Sequence, residues 1–315
     1  MNVVRSIHEF AKRGDSIITV GTFDGVHIGH RAILDTVKMH GREKGLRSVV
    51  ITFEPHPRTV VGRGPVRLLT TLEERLELFG ECGLDTVCVI DFTFEFSRLT
   101  PEEFFSEYVV SGIGAREMII GHDHMFGRDR AAGVEELERL SHRYGISSTV
   151  VEPVRFENQV VSSSSIREML LRGDVGQASR CLVRPYMLTG LVIHGDGRGA
   201  VLGFPTANLQ VVNEYKVIPL DGVYVVSLDI AGKHHFGMMD IGVRPTFEKG
   251  NERVLEVHLF NFTGTLYDQL MTVSFLHRLR GERKFGSKEE LIAQLERDKA
   301  ESMNLIVENQ SSTVH

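Results

Sequence analysis

The chain has 315 residues, of which 42% are hydrophobic and 25% are charged, and its formal net charge is −6. This composition is typical of a globular protein of about two domains, and the acidic balance provides no general attraction to nucleic acid or to an anionic membrane. No apolar run predicts a transmembrane helix or a signal-peptide core. We therefore expect a cytoplasmic protein without nucleic-acid or membrane partners, whose three cysteines stay reduced. The oligomeric state is left open.

The first half of the sequence alternates between strand and helix patterns. Strands are predicted over residues 16–23, 47–53, 86–91, 117–121 and 148–152. Helices are predicted over residues 30–44, 71–82, 101–111, 133–144 and 165–172. Capping boxes mark two helix starts, at Thr71 and Thr100. This alternation predicts an α/β domain with a Rossmann-like parallel sheet and helices on both faces, whose ligands bind beyond the carboxyl ends of the strands.

The segment Gly21–His30 lies between the first predicted strand and the first predicted helix. A glycine-rich turn at a helix start directs free backbone N–H groups and the positive end of the helix dipole at an anion. Two histidines in an H-x-G-H pattern add side-chain donors, and this pattern is typical of nucleotidyltransferases, which release pyrophosphate. A metal site is the weaker interpretation, because no third ligand is near in sequence. The candidate phosphate ligands are Gly21, Phe23, Asp24, His27, Gly29 and His30.

Three further segments of the first half carry candidate ligands. A loop rigidified by two prolines follows the second strand and could shape a pocket for a second substrate. A loop after the fourth strand could hydrogen-bond a nucleotide or flavin edge, and a run of serines before the last helix could bind an anion together with an arginine. Each has a plainer interpretation as a rigid turn, an Asx turn or a capping linker. The candidates are Pro55, His56, Pro57, Asp123, Phe126, Ser163, Ser164 and Arg167.

These four segments resemble, in order and spacing, the FMN adenylyltransferase module of the bacterial bifunctional riboflavin kinase/FAD synthetase family. The resemblance covers about residues 1–180. It implies that His27 and His30 hold the ATP phosphates and the departing pyrophosphate, that the serine segment binds the same region, and that the proline loop and the Asp123 loop contact the flavin. One position departs from the family, because His124 stands where an aromatic residue is usual.

Strand patterns dominate after about Arg184, separated by turns rich in Gly, Asp, Asn and Pro. The predicted strands are Tyr186–His194, Gly222–Ile230, His235–Ile241, Arg253–Phe260 and Leu270–Leu279. They predict a mainly antiparallel β-barrel or sandwich, followed by a terminal helix that begins at Ser287 and by a polar tail, Glu308–His315, that is expected to fray. The predicted domains are thus residues 1–182 and 183–307, with the frayed tail at 308–315.

A glycine-rich segment, Gly190–Gly199, leads into the pattern G-F-P-T-A-N-L at residues 203–209. It is not a dinucleotide-binding fingerprint, because Pro205 and the surrounding strand patterns leave no place for a helix start. A glycine-rich loop can still cover phosphates with its N–H groups. Thr206 and Asn208 point to the same side of an extended chain, and their hard oxygens suit Mg²⁺ held with ATP phosphates. The remaining candidate phosphate ligands are Gly195, Arg198 and Gly199.

The strand Arg253–Phe260 alternates cleanly between apolar and polar residues. Leu255 and Val257 share the expected core face, so Glu256 and His258 point to the opposite face. A carboxylate flanked by apolar residues could act as a general base toward a primary hydroxyl. The plainer interpretation is a glutamate that faces solvent.

The segments of the second half resemble the riboflavin kinase module of the same family over about residues 184–300. The pattern continues in Gly222–Tyr224, Asp240–Phe247 and Leu279–Phe285. The resemblance implies that Thr206 and Asn208 bind Mg²⁺ and ATP, that Glu256 activates the ribityl 5′-hydroxyl, and that Arg280 contacts the flavin. Asp240 stands where the family usually has asparagine.

The expected function is therefore a two-step synthesis of FAD. The C-terminal domain would phosphorylate riboflavin with ATP to give FMN, and the N-terminal domain would adenylylate FMN with a second ATP to give FAD and pyrophosphate. Two alternatives stay open: a nucleotidyltransferase for another phosphorylated small molecule, such as phosphopantetheine or a lipid head-group precursor, and a flavin-binding carrier or regulator with inactive sites. The G-F-P-T-A-N pattern argues against the first, and the retained candidate residues argue against the second.

Overall fold

The computed structural model describes residues 1–10, 15–62, 64, 66–122, 133–195, 199, 202–246 and 250–312. Two compact units, Met1–Ser163 and Ser164–His315, make up the chain. The domain boundary predicted at 182/183 differs from this division and stays a prediction. The candidate ligands Asp123, Phe126 and Arg198, and the departure at His124, lie outside the described residues.

The first unit is a parallel sheet with helices, as the sequence predicts. Its sheet strands are β1 (Asn2–Val4), β2 (Ser16–Val20), β3 (Arg47–Glu54), β4 (Thr86–Asp91), β5 (Ala115–Gly121) and β6 (Ser147–Val151). Its helices are α1 (Ile28–Lys44), α2 (Pro57–Val60), α3 (Leu72–Glu81), α4 (Pro101–Phe104), a π-helix (Phe105–Ile113) and α5 (Val134–Tyr144). Short 3₁₀ turns lie at Ile7–Glu9 and Phe96–Arg98, and a hairpin joins β7 (Arg155–Phe156) to β8 (Gln159–Val160). Within the described residues the sheet order is β1-β4-β3-β2-β5-β6.

The five strands predicted in this half are present, and their positions differ from the prediction by a few residues. The edge strand β1 was not predicted, because three residues are too short to show a periodic pattern. Both predicted capping boxes are present at Thr71 and Thr100. The helix predicted over 101–111 begins as α4 and continues as the π-helix to Ile113.

Each face of the sheet is covered by its own apolar cluster. Ile17 and Ile18 are neighbours in β2 and point to opposite faces. Ile17 shares a cluster with Leu34 of α1 and Phe79 of α3, whereas Ile18 shares the other cluster with Leu137 of α5. A sheet buried on both faces requires near-continuous apolar strands, which is the pattern seen in the sequence.

The strand order creates a ligand crevice at β2. This strand pairs in parallel with β3 on one side and with β5 on the other. The helix that follows β2 packs on one face of the sheet, and the helix that follows β5 packs on the opposite face. In open α/β sheets the carboxyl ends of two such strands flank the crevice where ligands bind. The loop after β2 is Gly21–Val26 and the start of α1, so the H-x-G-H pattern lies at this crevice.

The second unit is a closed antiparallel barrel with helices. Its elements are α6, which begins at the last residue of the first unit (Ser163–Leu171), α7 (Val175–Leu182), β9 (Tyr186–Ile193), β10 (Ala207–Val211), β11 (Gly222–Ile230), β12 (Lys233–Thr246), β13 (Gly250–Leu259), β14 (Leu270–Arg280) and α8 (Lys288–Ser312). In the described part of the chain the barrel order is β10-β13-β12-β11-β14-β9. The barrel is one of the two architectures that the sequence predicts, and the fold class is confirmed.

Several elements of the second unit differ from the predictions. Strand β10 and helix α7 were not predicted, and β12 is longer than the predicted strand His235–Ile241. Helix α8 continues to Ser312, so residues 308–312 of the predicted frayed tail are helical.

Among the described residues, none of the helices combines the length and the apolar character that crossing a membrane requires.

The barrel has a packed interior and one covered outer surface. The rings of Tyr186 and Tyr224 both lie against Phe275 and are fully buried. Val223, the neighbour of Tyr224 in β11, points the other way and packs with Ile306 of α8. The side of the barrel wall that Val223 faces is therefore the outer surface.

Candidate active sites

The two predicted histidines lie together at the start of α1. His27 is the N-cap residue of this 17-residue helix, and its Nδ1 accepts a hydrogen bond from the backbone N–H of His30 at 3.3 Å. The two imidazole rings stack with their centroids 3.6 Å apart. A Cβ on Gly29 would lie 3.2 Å from the His27 ring, so glycine at this position permits the stack. Both rings therefore stand beside the N-terminus of α1, where free backbone N–H groups favour an anion.

The loop before α1 holds a strained conformation. Phe23 has φ of 48° and Val26 has φ of 40°, a left-handed region that is costly for a bulky or β-branched residue. Both side chains are buried, and the Phe23 ring contacts Phe79 and the edge of His30 at 5.2 Å between centroids. Burial of Phe23 thus holds the loop and orients His30. The Phe23 side chain is a support in this structure, and only its backbone remains available for the predicted phosphate contact.

Asp24 is committed to the protein backbone. Its side chain is 1% exposed, and its carboxylate accepts hydrogen bonds from Leu69 N at 3.0 Å, from Thr70 N at 2.9 Å and from the Thr70 hydroxyl at 3.1 Å. The Thr70 hydroxyl oxygen in turn accepts from Gly25 N at 2.9 Å. The Asp24 carboxylate therefore fixes the loop against residues 69–70, which is a different role from the phosphate contact that the sequence predicts for this residue.

Arg75 is a buried residue of this site that the sequence did not indicate as functional. It lies on α3, is 2% exposed, and donates to the Thr22 carbonyl at 2.7 Å, to the Thr52 hydroxyl at 3.2 Å and to the Glu54 carboxylate at 2.6 Å. The available signal was a charge three positions after Leu72, inside the apolar stripe of a predicted helix.

The proline loop follows β3 directly. Glu54 ends the strand, and His56 is the N-cap of the short helix α2, whose first residue is Pro57. The His56 Nδ1 accepts a hydrogen bond from Arg58 N at 3.2 Å, and the His56 side chain is largely buried. Pro55 is exposed. The loop is thus fixed at the carboxyl end of β3, the strand beside β2.

The serine segment reaches the histidine loop. Helix α6 begins at Ser163, two residues before the start that the sequence predicts. The Ser163 hydroxyl donates to the Asp24 carbonyl at 2.9 Å. Ser164 and Arg167 follow in the first two turns of α6. The first of the predicted serines is therefore in contact with the loop that carries His27.

The candidate residues of the second unit meet on the outer surface of the barrel. Asn208 of β10 is paired with Glu256 of β13, and Glu256 is paired with Asp240 of β12. Asp240 is in turn opposite Val223, which marks the outer surface. The Thr206 hydroxyl donates to the Glu256 carboxylate at 3.1 Å. The structure thus brings together the two predicted metal ligands and the predicted base.

The glycine-rich segment closes tightly on this group. A Cβ on Gly195 would overlap the Asn208 amide, so only glycine lets the backbone approach that side chain. The Gly199 carbonyl accepts hydrogen bonds from Leu202 N at 3.0 Å and from Phe204 N at 2.9 Å. Backbone groups of the loop therefore lie close to Thr206 and Asn208, the predicted metal ligands.

His258 anchors the segment that carries Thr206. It is largely buried, and its ring contacts Phe204 at 5.1 Å between centroids. The His258 Nδ1 lies 2.9 Å from the Pro205 carbonyl oxygen, which can only accept, so this nitrogen carries the proton. Burial lowers the pKa of His258, which favours the neutral ring in this contact.

Two pairs of ionisable side chains border the site, one of two carboxyl groups and one of an arginine with an aspartate. Asp240 hydrogen-bonds Glu282. Partial removal of the Asp240 carboxyl from water, and then repulsion from Glu282 and Glu256, raise the pKa of Asp240 to about 7. The residue nevertheless keeps contact with solvent. Arg280 contributes attraction that opposes this rise. The Arg280 guanidinium also donates to the buried Asp298 of α8 at 2.7 and 3.0 Å. The residue predicted to contact flavin is thus engaged with the terminal helix.

We expect Asp240→Asn to stabilise the folded protein in a pH-dependent manner. Because the folded-state pKa is raised, the folded protein binds more protons than the unfolded chain between pH 3.8 and about 7, so stability falls as the pH rises through this window. Asparagine removes that loss. The gain in free energy of unfolding should grow through the window and reach on the order of 1 kcal/mol above it, because solvent screens most of the repulsion.

Urea unfolding of the full chain at about pH 5 and about pH 8 measures this difference. Asp268→Asn is a matched control, since Asp268 is an exposed carboxyl in the turn before β14. Equal gains from Asp240→Asn at both pH values would contradict the shared repulsion of the three carboxyl groups.

The donor set on the outer surface of the barrel fits a hard cation. Among the described residues, no cluster of three or more His, Cys, Asp or Glu is arranged to hold a metal. Thr206 and Asn208 nevertheless supply a hydroxyl and an amide oxygen beside the Glu256 carboxylate. Oxygen ligands of this kind suit Mg²⁺ when phosphates complete its coordination.

Comparison with known proteins matches both units to enzymes. A family model described as FAD synthetase matches residues 9–165, and one described as riboflavin kinase matches residues 182–306. A Bacillus subtilis protein is 37% identical over 93% of each chain, and one from Escherichia coli K12 is 35% identical over 95% of this chain and 96% of that protein. Both are described as bifunctional riboflavin kinase/FMN adenylyltransferase.

A solved structure covers almost the whole chain as well. It is described as a macrolide-efflux protein from Streptococcus pneumoniae and is 31% identical to this chain, with a TM-score of 0.87. The match covers 96% of this chain and 98% of that one.

Proposed function

The chain belongs to the family of bifunctional riboflavin kinase/FMN adenylyltransferases, and from this we propose which of its residues carry each of the two reactions. The enzyme converts riboflavin to FMN and FMN to FAD, and both steps consume ATP. The single observation that carries the residue assignments is that each unit brings its own candidate residues together: His27 with His30 in the first, and Thr206 with Glu256 in the second.

In the kinase reaction, the terminal ribityl hydroxyl of riboflavin attacks the γ-phosphorus of ATP, and FMN and ADP are formed. Glu256 accepts the proton of that hydroxyl. Thr206 and Asn208 would hold Mg²⁺, which would neutralise phosphate charge when bound. The hydrogen bond from Thr206 to Glu256 keeps the base beside the phosphates. The N–H groups of the loop at Gly195 and Gly199, together with Arg198, cover the phosphates, and Arg280 contacts the flavin.

In the adenylyltransferase reaction, a phosphate oxygen of FMN attacks the α-phosphorus of a second ATP, and pyrophosphate leaves. No covalent enzyme intermediate is needed, because the FMN phosphate is itself an anionic nucleophile. His27, His30 and the N-terminus of α1 stabilise the charge that develops on pyrophosphate. The other proposed phosphate ligands are Gly21, Gly29, Ser163, Ser164, Arg167 and the backbone of Phe23 and Asp24. The proposed flavin contacts are Pro55, His56, Pro57, Asp123 and Phe126.

We further propose a division into an adenylyltransferase domain, residues 1–182, and a kinase domain, residues 183–307. The ranges matched by the two family models, 9–165 and 182–306, support this division. We also propose that the enzyme works in the cytoplasm. The three cysteines support this proposal, because all of them are buried and free of disulfides, as is usual in a reducing compartment.

Incubation of the full chain with riboflavin, ATP and Mg²⁺ tests the proposal. Chromatography should show FMN first and then FAD, with ADP and pyrophosphate as the other products. Omission of Mg²⁺ should suppress both flavin products. Tight flavin binding without any FMN or FAD would contradict the proposal and favour a carrier.

A further inference from the structure

The segment Leu69–Arg75 connects the two loops that the proposed adenylyltransferase site needs. Its first part holds the histidine loop, because the backbone N–H groups of Leu69 and Thr70 donate to the buried Asp24 carboxylate. Its last residue, Arg75, reaches two strand ends at once. One guanidinium nitrogen donates to the Thr22 carbonyl after β2, and the other donates to Glu54 at the end of β3.

We propose that Arg75 is a positioning residue of the adenylyltransferase reaction, which holds the phosphate loop Gly21–His30 at a fixed distance from the proline loop that begins at Pro55. This inference rests on the proposed function, in which the first loop binds the ATP phosphates and the second contacts the flavin. The FMN phosphate must meet the α-phosphorus of ATP between them. A fixed spacing of the two loops is therefore a condition for the reaction.

The burial of Arg75 shows that its charge is retained at a cost. Burial lowers the pKa of Arg75, and the nearby carboxylates of Glu54 and Asp24 oppose that shift. The Glu54 side chain is 38% exposed and the Arg75 side chain is 2% exposed. Water therefore weakens the attraction between them from the Glu54 side only. An apolar residue would fit the stripe of α3 that Leu72 begins and would require no desolvation of a charge. The stability of the helix therefore does not explain an arginine here.

The shape of the guanidinium explains why an arginine occupies position 75. Its planar fork meets acceptors from three places, namely the Thr22 carbonyl, the Thr52 hydroxyl and the Glu54 carboxylate. It also approaches the Phe53 carbonyl at 3.4 Å. A lysine ammonium keeps the charge, but its flexible stem and single nitrogen cannot reproduce the several N–H donors that the planar guanidinium holds in fixed directions. Arg75 therefore sets the relative position of the two strand ends in a way that charge alone would not.

Kinetics of the full chain with Arg75→Met and Arg75→Lys test this role. For Arg75→Met, we expect kcat/KM for FMN adenylylation to fall about 100-fold, because a displacement near 1 Å between reacting groups has an effect of that size. The loss should include a rise in KM for FMN, since the flavin loop moves relative to the phosphate loop. Arg75→Lys should show a smaller loss of the same kind. Riboflavin phosphorylation in the same samples should be unchanged.

Glu117→Gln is a matched control for the loss of a buried ionic network in the same unit. The Glu117 side chain is 3% exposed and accepts hydrogen bonds from His40 at 2.9 Å and Lys44 at 2.6 Å. It pairs with Ile17 near the start of β2, the end of the sheet opposite the two loops. This variant should unfold at a lower temperature than wild type but keep both kcat and KM for FMN.

Several results would overturn the role of Arg75. One is wild-type kcat and KM for FMN in both Arg75 variants. Another is a fall in kcat that matches the loss of folded protein in each variant while KM stays constant, since that is the mark of a structural role alone. A wild-type chain that makes no FAD would overturn the proposed function and this inference together, whereas active wild type beside equally active variants overturns the inference alone.

Discussion

Riboflavin phosphorylation is expected to slow by about 10²–10⁴-fold when Glu256 is replaced by glutamine, while added FMN is still converted to FAD. Glutamine keeps the size of the side chain and can still accept the hydrogen bond that the Thr206 hydroxyl donates at 3.1 Å. It cannot accept the proton of the ribityl hydroxyl. The loss therefore reports the general base rather than the arrangement of Thr206 and Asn208.

The measurement is the initial rate of FMN formation from riboflavin, followed by FAD formation from FMN in the same preparation. Glu296→Gln is a suitable control, because Glu296 is an exposed glutamate on α8. If Glu256→Gln phosphorylates riboflavin at the wild-type rate, the assignment of Glu256 as the base is wrong.

Replacement of His30 by alanine is expected to lower FMN adenylylation by about 10²–10³-fold, the usual loss for one donor to a developing anion. FMN should still accumulate from riboflavin, since the proposed kinase residues lie in the other unit. The variant removes one of two rings that stack 3.6 Å apart at the start of α1. The remaining His27 keeps its place as the N-cap, so the helix start is preserved.

Time courses of riboflavin, FMN and FAD with the full chain distinguish the two steps. His40→Ala changes a histidine on the same helix that contacts Glu117 instead of the loop, and it should leave FAD formation intact. Equal loss of FMN and FAD formation in folded His30→Ala protein would contradict the proposal that each unit carries out one of the two reactions.

The positions of the longer elements could be predicted from local pattern. Helix α3 begins where the capping box at Thr71 indicates, and β3 and β4 coincide with their apolar runs. Short elements escaped prediction because long-range pairing defines them. Strand β1 has three residues, Asn2–Val4, and exists through its pairing with Thr86–Cys88. Helix α7 was missed as well, since eight residues show little more than two turns of periodicity.

The candidate residues could be chosen from the sequence, but their contacts could not. Thr206 and Glu256 are 50 positions apart and meet because β10 and β13 pair in one register. A shift of that register by one residue would turn Glu256 to the other face of the barrel wall. The role of Asp24 likewise depends on the backbone of residues 69 and 70, which nothing in the local pattern connects to it.

The sequence by itself determined the two-part architecture, the H-x-G-H loop at the carboxyl end of the first long strand, and the resemblance to a family that makes FAD in two steps. These features depend on apolar periodicity and on motifs within a few residues, which are local properties. Only the tertiary structure decided that the second half closes into a barrel, that Glu256 faces Asn208 and Asp240, and that Arg75 joins two strand ends. Those facts follow from strand register and from the burial of charges among distant segments, and both are set when the chain packs as a whole.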